Sequence, residues 1–264
     1  MINQNDSKIW FKFNGLLRSF IAHGGLLNLA DIYIVNEYPK SGGTWLSQML
    51  SKALEVPFPR NRLPIMGASL LHGHFRNKWN MKRLVILWRD GRDVIVSQYH
   101  HVVHLSGKSK GYKGQMSRDL NFSDRDDIAK NLPKFIEYMF TSSNHKHLAW
   151  PEFVDYWYGT QNAVETKYEL LHVNTVHELE RILRHLTGKD YDLDKLNGIV
   201  EQYSFQNQSS RKPGEERKNN FLRKGIVGDW QNYFNQESSE IFDNYAGNQL
   251  IKLGYEKDHN WLIP

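Results

Sequence analysis

The stretch DIYIVNEYPKSGGTWLSQML, residues 31–50, runs apolar, breaks on Pro, Lys, Ser and two Gly, then resumes with apolar residues at helical spacing. Residues 31–38 read as a buried strand, and residues 44–54 read as a helix with apolar positions at 45, 46, 49, 50 and 54. Small residues between a strand and a helix let backbone N–H groups converge on an anion, where the helix dipole also favours negative charge. The order is not the G-x-x-x-x-G-K-[ST] of the common nucleotide loop, because Lys40 precedes the glycines instead of following them. Its charge reaches the anion from the strand end, so the ligand should differ accordingly.

Outward from that turn, the unit of strand, turn and helix repeats. ASLLHGHF (68–75) reads as a short strand, KRLVILWRD (82–90) is strongly β-prone, and DGRDVIVSQYHHVV (90–103) reads as a turn and a helix. Residues 128–165 are mainly helical in pattern, ETKYELL (165–171) is a further strand candidate, and VHELERILRHLTG (176–188) carries a buried stripe of Leu179, Ile182, Leu183 and Leu186. SSEIFDNYAGNQLIKLGY (238–255) reads as the last helix. This alternation predicts an α/β fold, one domain over residues 1–264 with a central, mostly parallel sheet flanked by helices. Residues 9–27 are apolar, but Lys12, Arg18 and His23 interrupt them; the spacing predicts a packed helix within an extension over residues 1–30, not a membrane span or signal peptide. The polar, basic stretch 105–127 reads as a long loop of the length that is usually functional or mobile.

Composition is that of a globular chain, with 40% hydrophobic and 24% charged residues, and the net charge of +5 suits an anionic partner. The absence of cysteine excludes disulfides, thiolate catalysis and zinc sites built on Cys. His100 and His104 share a helical face at a spacing compatible with a metal pair, but no carboxylate or cysteine companion is evident, so no metal is expected.

Two further segments carry basic residues at strand ends or turns: Arg89 with Ser97 eight positions later in WRDGRDVIVS, and Arg223 and Lys224 before Gly225 in FLRKG. Together with the first they resemble the cytosolic type of PAPS-dependent sulfotransferase. The family's Y-P-K-S-G-T-T-W stands here as YPKSGGTW, its R-x7-S as Arg89 with Ser97, and its R-K-G-x-x-G-D-W as RKGIVGDW. The likeness covers most of residues 31–255. It implies a P-loop-NTPase-like sulfotransferase fold and transfer of a sulfuryl group from 3′-phosphoadenylyl sulfate (PAPS), leaving PAP. By the same resemblance, Lys40, Ser41, Gly42, Gly43 and Thr44 would bind the 5′-phosphosulfate, and Trp45 would stack on the adenine. Tyr168 would touch the adenine, and Arg89, Ser97, Arg223, Lys224 and Gly225 would bind the 3′-phosphate. Tyr203, standing where a threonine is common, joins the nucleotide contacts. The family's base lies in K-T-H; aligning SLLHGHF to it puts His74 at the histidine and His72 at the lysine, with His74 taken as general base, His72 in reserve, and Lys40 stabilising the leaving phosphate.

The acceptor would be a hydroxyl of a small molecule, lipid or carbohydrate, with Phe75, Tyr99, His100, Trp150, Phe153 and Trp157 as candidates for an aromatic pocket and 105–127 as its mobile loop. A cytoplasmic location follows from the resemblance. Gly43 departs from a frequent threonine, and the family's dimer motif is mostly absent, with Gln231, Asn235 and Gln236 before Glu240, so the oligomeric state stays open. Two rival readings remain. A P-loop kinase would want a lysine after the glycines and an acidic magnesium ligand, for which Asp90 is available; a non-catalytic nucleic-acid-binding protein would use the basic surface, yet the positive residues cluster in the three signatures.

Overall fold

A computed structural model describes residues 31–59, 68–78, 81–105, 112–142, 148–218 and 220–262; the helix expected within residues 1–30 lies outside them. The chain divides into two compact units, one formed by residues up to Trp88 with Gly159–Ser204, the other by Arg89–Tyr158 with Phe205–Pro264.

The first unit holds four parallel strands, β1 (Ile32–Glu37), β2 (Ser69–Gly73), β3 (Arg83–Trp88) and β4 (Ala163–Lys167), in the order β2-β1-β3-β4. Val35 is in register with His72 on one side and Val85 on the other, and Val85 with Val164 in turn. All six residues of β1 are buried, which is why its sequence is continuously apolar up to Asn36 and Glu37 instead of alternating. Helix α1 (Gly43–Ala53) follows β1 and lays Leu46, Met49, Leu50 and Ala53 into a core shared with Tyr33, Val35, Val85 and Leu87. Helices α6 (Tyr168–Val173), α7 (Thr175–Thr187) and α8 (Leu193–Gln202) complete that core with Leu171, Leu179, Ile182, Leu183, Leu186, Leu196 and Ile199. The strand order reverses between β1 and β3, and in open α/β sheets such a switch point, beyond the carboxyl ends of the strands, is where ligands bind.

The second unit is helical: α2 (Gly91–Tyr99) continuing into a π-helical turn (His100–Leu105), α3 (Tyr112–Leu120), α4 (Ile128–Thr141), α5 (Trp150–Trp157), α9 (Phe205–Ser209) and α10 (Gln236–Lys252). Phe242 of α10 packs edge-on to Phe140 of α4 at 5.5 Å and lies 6.0 Å from Trp150 of α5. Arg92 is 3% exposed, forked onto Asp90 and bonded to Glu256, with its guanidinium 3.8 Å over the Trp230 ring.

Two local expectations change. The stretch 105–127 contains α3, whose buried Met116 and Leu120 sit four residues apart on one face; the surrounding polar residues and glycines masked that short stripe. The strand expected over 165–171 ends at Lys167, and Tyr168 begins α6 because Glu169, Leu170 and Leu171 favour helix once the strand pairing stops.

Candidate active site

The turn between β1 and α1 is shaped to present backbone. Lys40 holds φ at 79° and Gly42 at 100°; the first is a strained value for a side-chain-bearing residue, of the kind that concentrates at functional turns. The Tyr168 ring covers Gly42 so closely that a Cβ there would meet Tyr168 Cδ2 at 2.6 Å. Ser41 is 1% exposed, and its Oγ makes no hydrogen bond among the described residues. Trp45, half-buried on the first turn of α1, donates from its indole Nε1 to the Tyr203 carbonyl at 2.9 Å, and its ring lies edge-on to Tyr168 at 5.9 Å and 5.3 Å from His172. The three aromatic residues assigned to the nucleotide, Trp45, Tyr168 and Tyr203, are thus brought together from 158 positions apart.

Beside this turn lies a group the sequence reading missed. The Glu37 carboxylate, 4% exposed, accepts the Gly43 N–H at the head of α1 and stands 2.9 Å from His72 Nε2. The Glu37 carbonyl accepts from His74 Nδ1 at 2.9 Å, which makes Nδ1 the protonated nitrogen of a neutral His74. The adjoining backbone is tied in the same way, the Phe75 N–H donating to Asn36 Oδ1 at 2.8 Å. Burial alone would raise the Glu37 carboxyl, but the His72 hydrogen bond, the His72 and His74 charges and the Gly43 N–H outweigh it, and its pKa lies below the ordinary value. A charged residue closing an otherwise apolar strand was the available signal.

In the second unit the other two signatures meet. Arg89 Nη2 lies 3.4 Å from Asp93 Oδ2 and donates to the Ile226 carbonyl at 3.3 Å. Asp93 in turn accepts from Gly228 N at 2.9 Å and Trp230 N at 3.0 Å, so α2 is clamped to the RKGIVGDW segment. Arg223 is forked between Glu216, at 2.7 Å, and Asp229; Lys224 Nζ donates to Asp229 at 2.8 Å and to the Tyr233 hydroxyl at 3.0 Å. Desolvation works against both cations, but Asp229 holds Arg223 and Lys224 above their ordinary values, and they hold Asp229 below its own in spite of burial. Gly225 takes φ of 64° with the Phe205 ring packed against it. Ser97 is half-buried on α2. Asp93 and Asp229 were not singled out from sequence; Asp93 meets Gly228 and Trp230 far along the chain, whereas Asp229 stands only five and six positions from Lys224 and Arg223.

The aromatic acceptor residues divide. Phe75 is half-buried and follows β2. Trp150, Phe153 and Trp157 are 1%, 3% and 0% exposed and pack within the helical unit. Tyr99 is fully buried, donates to the Arg125 carbonyl at 2.9 Å, accepts from Asn131 Nδ2 at 2.7 Å, and is pushed by burial to a pKa of about 12. The His100 and His104 rings lie 5.2 Å apart, tilted by 33°, and among the described residues no group of three His, Cys, Asp or Glu is placed to hold a metal.

A family model described as the sulfotransferase domain matches residues 69–254, which include the second and third signatures and more than half of the chain. Sulfotransferase 1B1 of Mus musculus is 26% identical over 257 residues, covering 80% of this chain and 79% of that protein. Flavonol 3-sulfotransferase of Flaveria bidentis is 23% identical over 279 residues, covering 85% and 83%. Among solved structures, mouse sulfotransferase SULT7A1 complexed with PAP shares the fold with a TM-score of 0.64 at 20% identity, over 91% of this chain and 93% of that one. The fold, the two signatures inside the matched span and the family model agree, and the chain belongs to the sulfotransferase domain family.

Proposed function

We propose that this sulfotransferase moves a sulfuryl group from PAPS to a hydroxyl acceptor, with His74 as general base and Lys40 stabilising the leaving phosphate. The observation that carries the reading is one strand end serving two needs: three residues before Lys40, the Glu37 carbonyl fixes His74 as the Nδ1–H tautomer. The residues fit an anion, for the buried Ser41 Oγ makes no hydrogen bond among the described residues and the backbone at Gly42 is bare of any side chain under Tyr168. Lys40, Ser41, Gly42, Gly43 and Thr44 would hold the 5′-phosphosulfate, Trp45, Tyr168 and Tyr203 the adenine side, and Arg89, Ser97, Arg223, Lys224 and Gly225 the 3′-phosphate. When bound, PAPS supplies a sulfuryl group already activated on a phosphate leaving group.

What the chain adds is placement and proton handling. His74 Nε2 takes the acceptor's hydroxyl proton as that oxygen becomes a nucleophile, and Lys40 sets a positive charge beside the phosphate oxygen that gains negative charge. The kinase alternative loses ground because Asp90, its candidate magnesium ligand, caps α2 by accepting from Arg92 N at 2.9 Å and is forked onto the Arg92 side chain. The acceptor is read as a small lipophilic alcohol or phenol, following the flavonol and the retinol and androsterone in the names of related proteins. The protein is taken as one domain acting in the cytoplasm.

His74→Ala should lower kcat by about 100-fold or more with labelled PAPS and an acceptor library, while PAP binding by calorimetry persists. Normal turnover in that variant removes His74 as base; no PAP affinity in the unmodified protein overturns the assignment.

A further inference from the structure

We infer that Glu37 is a positioning residue for sulfuryl transfer, tying the head of α1 to both histidines of the site; this rests on the reading of His74 as base given above. One residue makes three contacts: its carboxylate takes the Gly43 N–H and the His72 imidazole, and its carbonyl takes His74 Nδ1. The neighbourhood is built around it. A Cβ on Gly43 would meet Glu37 Cδ at 2.5 Å and His72 Nε2 at 2.6 Å, so glycine stands at 43 because the carboxylate and imidazole fill that space.

The charge is what calls for a functional account. A neutral hydroxyl would satisfy the N–H at a helix head, whereas a buried carboxylate is costly unless paired and would oppose an anion arriving at the same turn. His72, hydrogen-bonded to it and itself only 12% exposed, is the partner that such a buried carboxylate needs. A carboxylate also has two oxygens, one for the helix head and one for His72. His72 thereby becomes a fixed wall, with Phe58 on one side at 6.2 Å and the His74 ring edge-on at 5.7 Å. Holding His72 holds the ring against which His74 rests, in addition to the carbonyl that sets its tautomer.

Glu37→Gln keeps shape and volume but offers one acceptor oxygen, which cannot serve both Gly43 N–H and His72. At saturating PAPS, kcat should fall about 10- to 100-fold, the range expected when a reacting group is displaced by about 1 Å. The PAP dissociation constant should stay within about threefold of the original, giving a split between turnover and binding that lost folding alone would not produce. His72→Gln should lower kcat to a similar extent, and the double variant should be no worse than the poorer single one, because the pair acts as a unit. Unchanged kcat in Glu37→Gln, additive losses in the double variant, or a loss of turnover that merely tracks lost PAP binding overturns the proposal. An inactive His74→Ala beside a silent Glu37→Gln would sink this inference alone, whereas an active His74→Ala would remove the base reading on which it stands.

Discussion

Gly43 illustrates how one residue's identity is set by its neighbours. Nothing about its backbone demands glycine, since it is absent from the positive-φ residues that include Gly42 next to it. The demand is steric, from the Glu37 carboxylate and the His72 ring. Gly43→Ala should therefore destabilise the protein by about 1–3 kcal/mol, the usual cost of forcing an extra carbon into a filled space. Thermal melts would read this, and in a Glu37→Ala background, where His72 loses its anchor and can retreat, the cost should fall by more than half. An equal cost in both backgrounds would mean that Glu37 is not the wall. From sequence, Gly43 stood only as a departure from a frequent threonine; the folded chain relates it to a glutamate six positions earlier.

At the scale of elements, the π-helical turn after α2 gives a pH-dependent signature. It carries His100, 3% exposed, whose ring nitrogens make no hydrogen bond among the described residues, the nearest carboxylate oxygen, on Glu216, standing 3.8 Å away. Burial first, then the Arg223 and His104 charges, lower its pKa to about 3, and burial also lowers that of His104. The folded pKa lies below the unfolded value of about 6.5, so the unfolded chain binds the proton first. Stability from this group is complete above about pH 6.5 and declines as pH falls towards 3, by at most about 1.4 kcal/mol per pH unit. Asp229 and Glu37, with lowered carboxyl values, act only at more acid pH. His100→Gln should flatten the fall in unfolding free energy between about pH 6.5 and 4.5, measured by denaturant titration. A parallel slope in the variant would place the proton uptake elsewhere. The elements themselves were largely legible, because strands β1 and β3 are apolar runs and α1, α2 and α7 follow with helical periodicity. The π-helical turn was not, since its sequence HHVVHL satisfies an ordinary helix equally well.

For the whole molecule, the basic residues of the second and third signatures prove to be committed in pairs. Arg89 is set by Asp93, Arg223 and Lys224 by Asp229, and each acid comes from a signature segment and buries almost completely. The order and spacing of the three signatures were visible in sequence because a phosphate-handling turn needs glycine, serine and a basic residue within a few positions. The arrangement of the second against the third was not, since Asp93 reaches Gly228 and Trp230 across 135 and 137 positions. Aromatic content likewise does not tell a half-buried residue such as Trp45 from a core residue such as Trp157, 0% exposed. On the proposed reading, cations held in place by buried acids would meet the 3′-phosphate that PAP carries and ATP lacks, which would favour discrimination between the two over general attraction to polyanions. PAP at about 100 times its dissociation constant should stabilise the fold by about 2.7 kcal/mol. That corresponds to a rise in melting temperature of about 5–10 °C for a chain of this size. ATP with magnesium at the same concentration, lacking the 3′-phosphate, should raise it by clearly less. Equal shifts from the two nucleotides would favour the kinase reading, and no shift from either would remove the nucleotide site altogether.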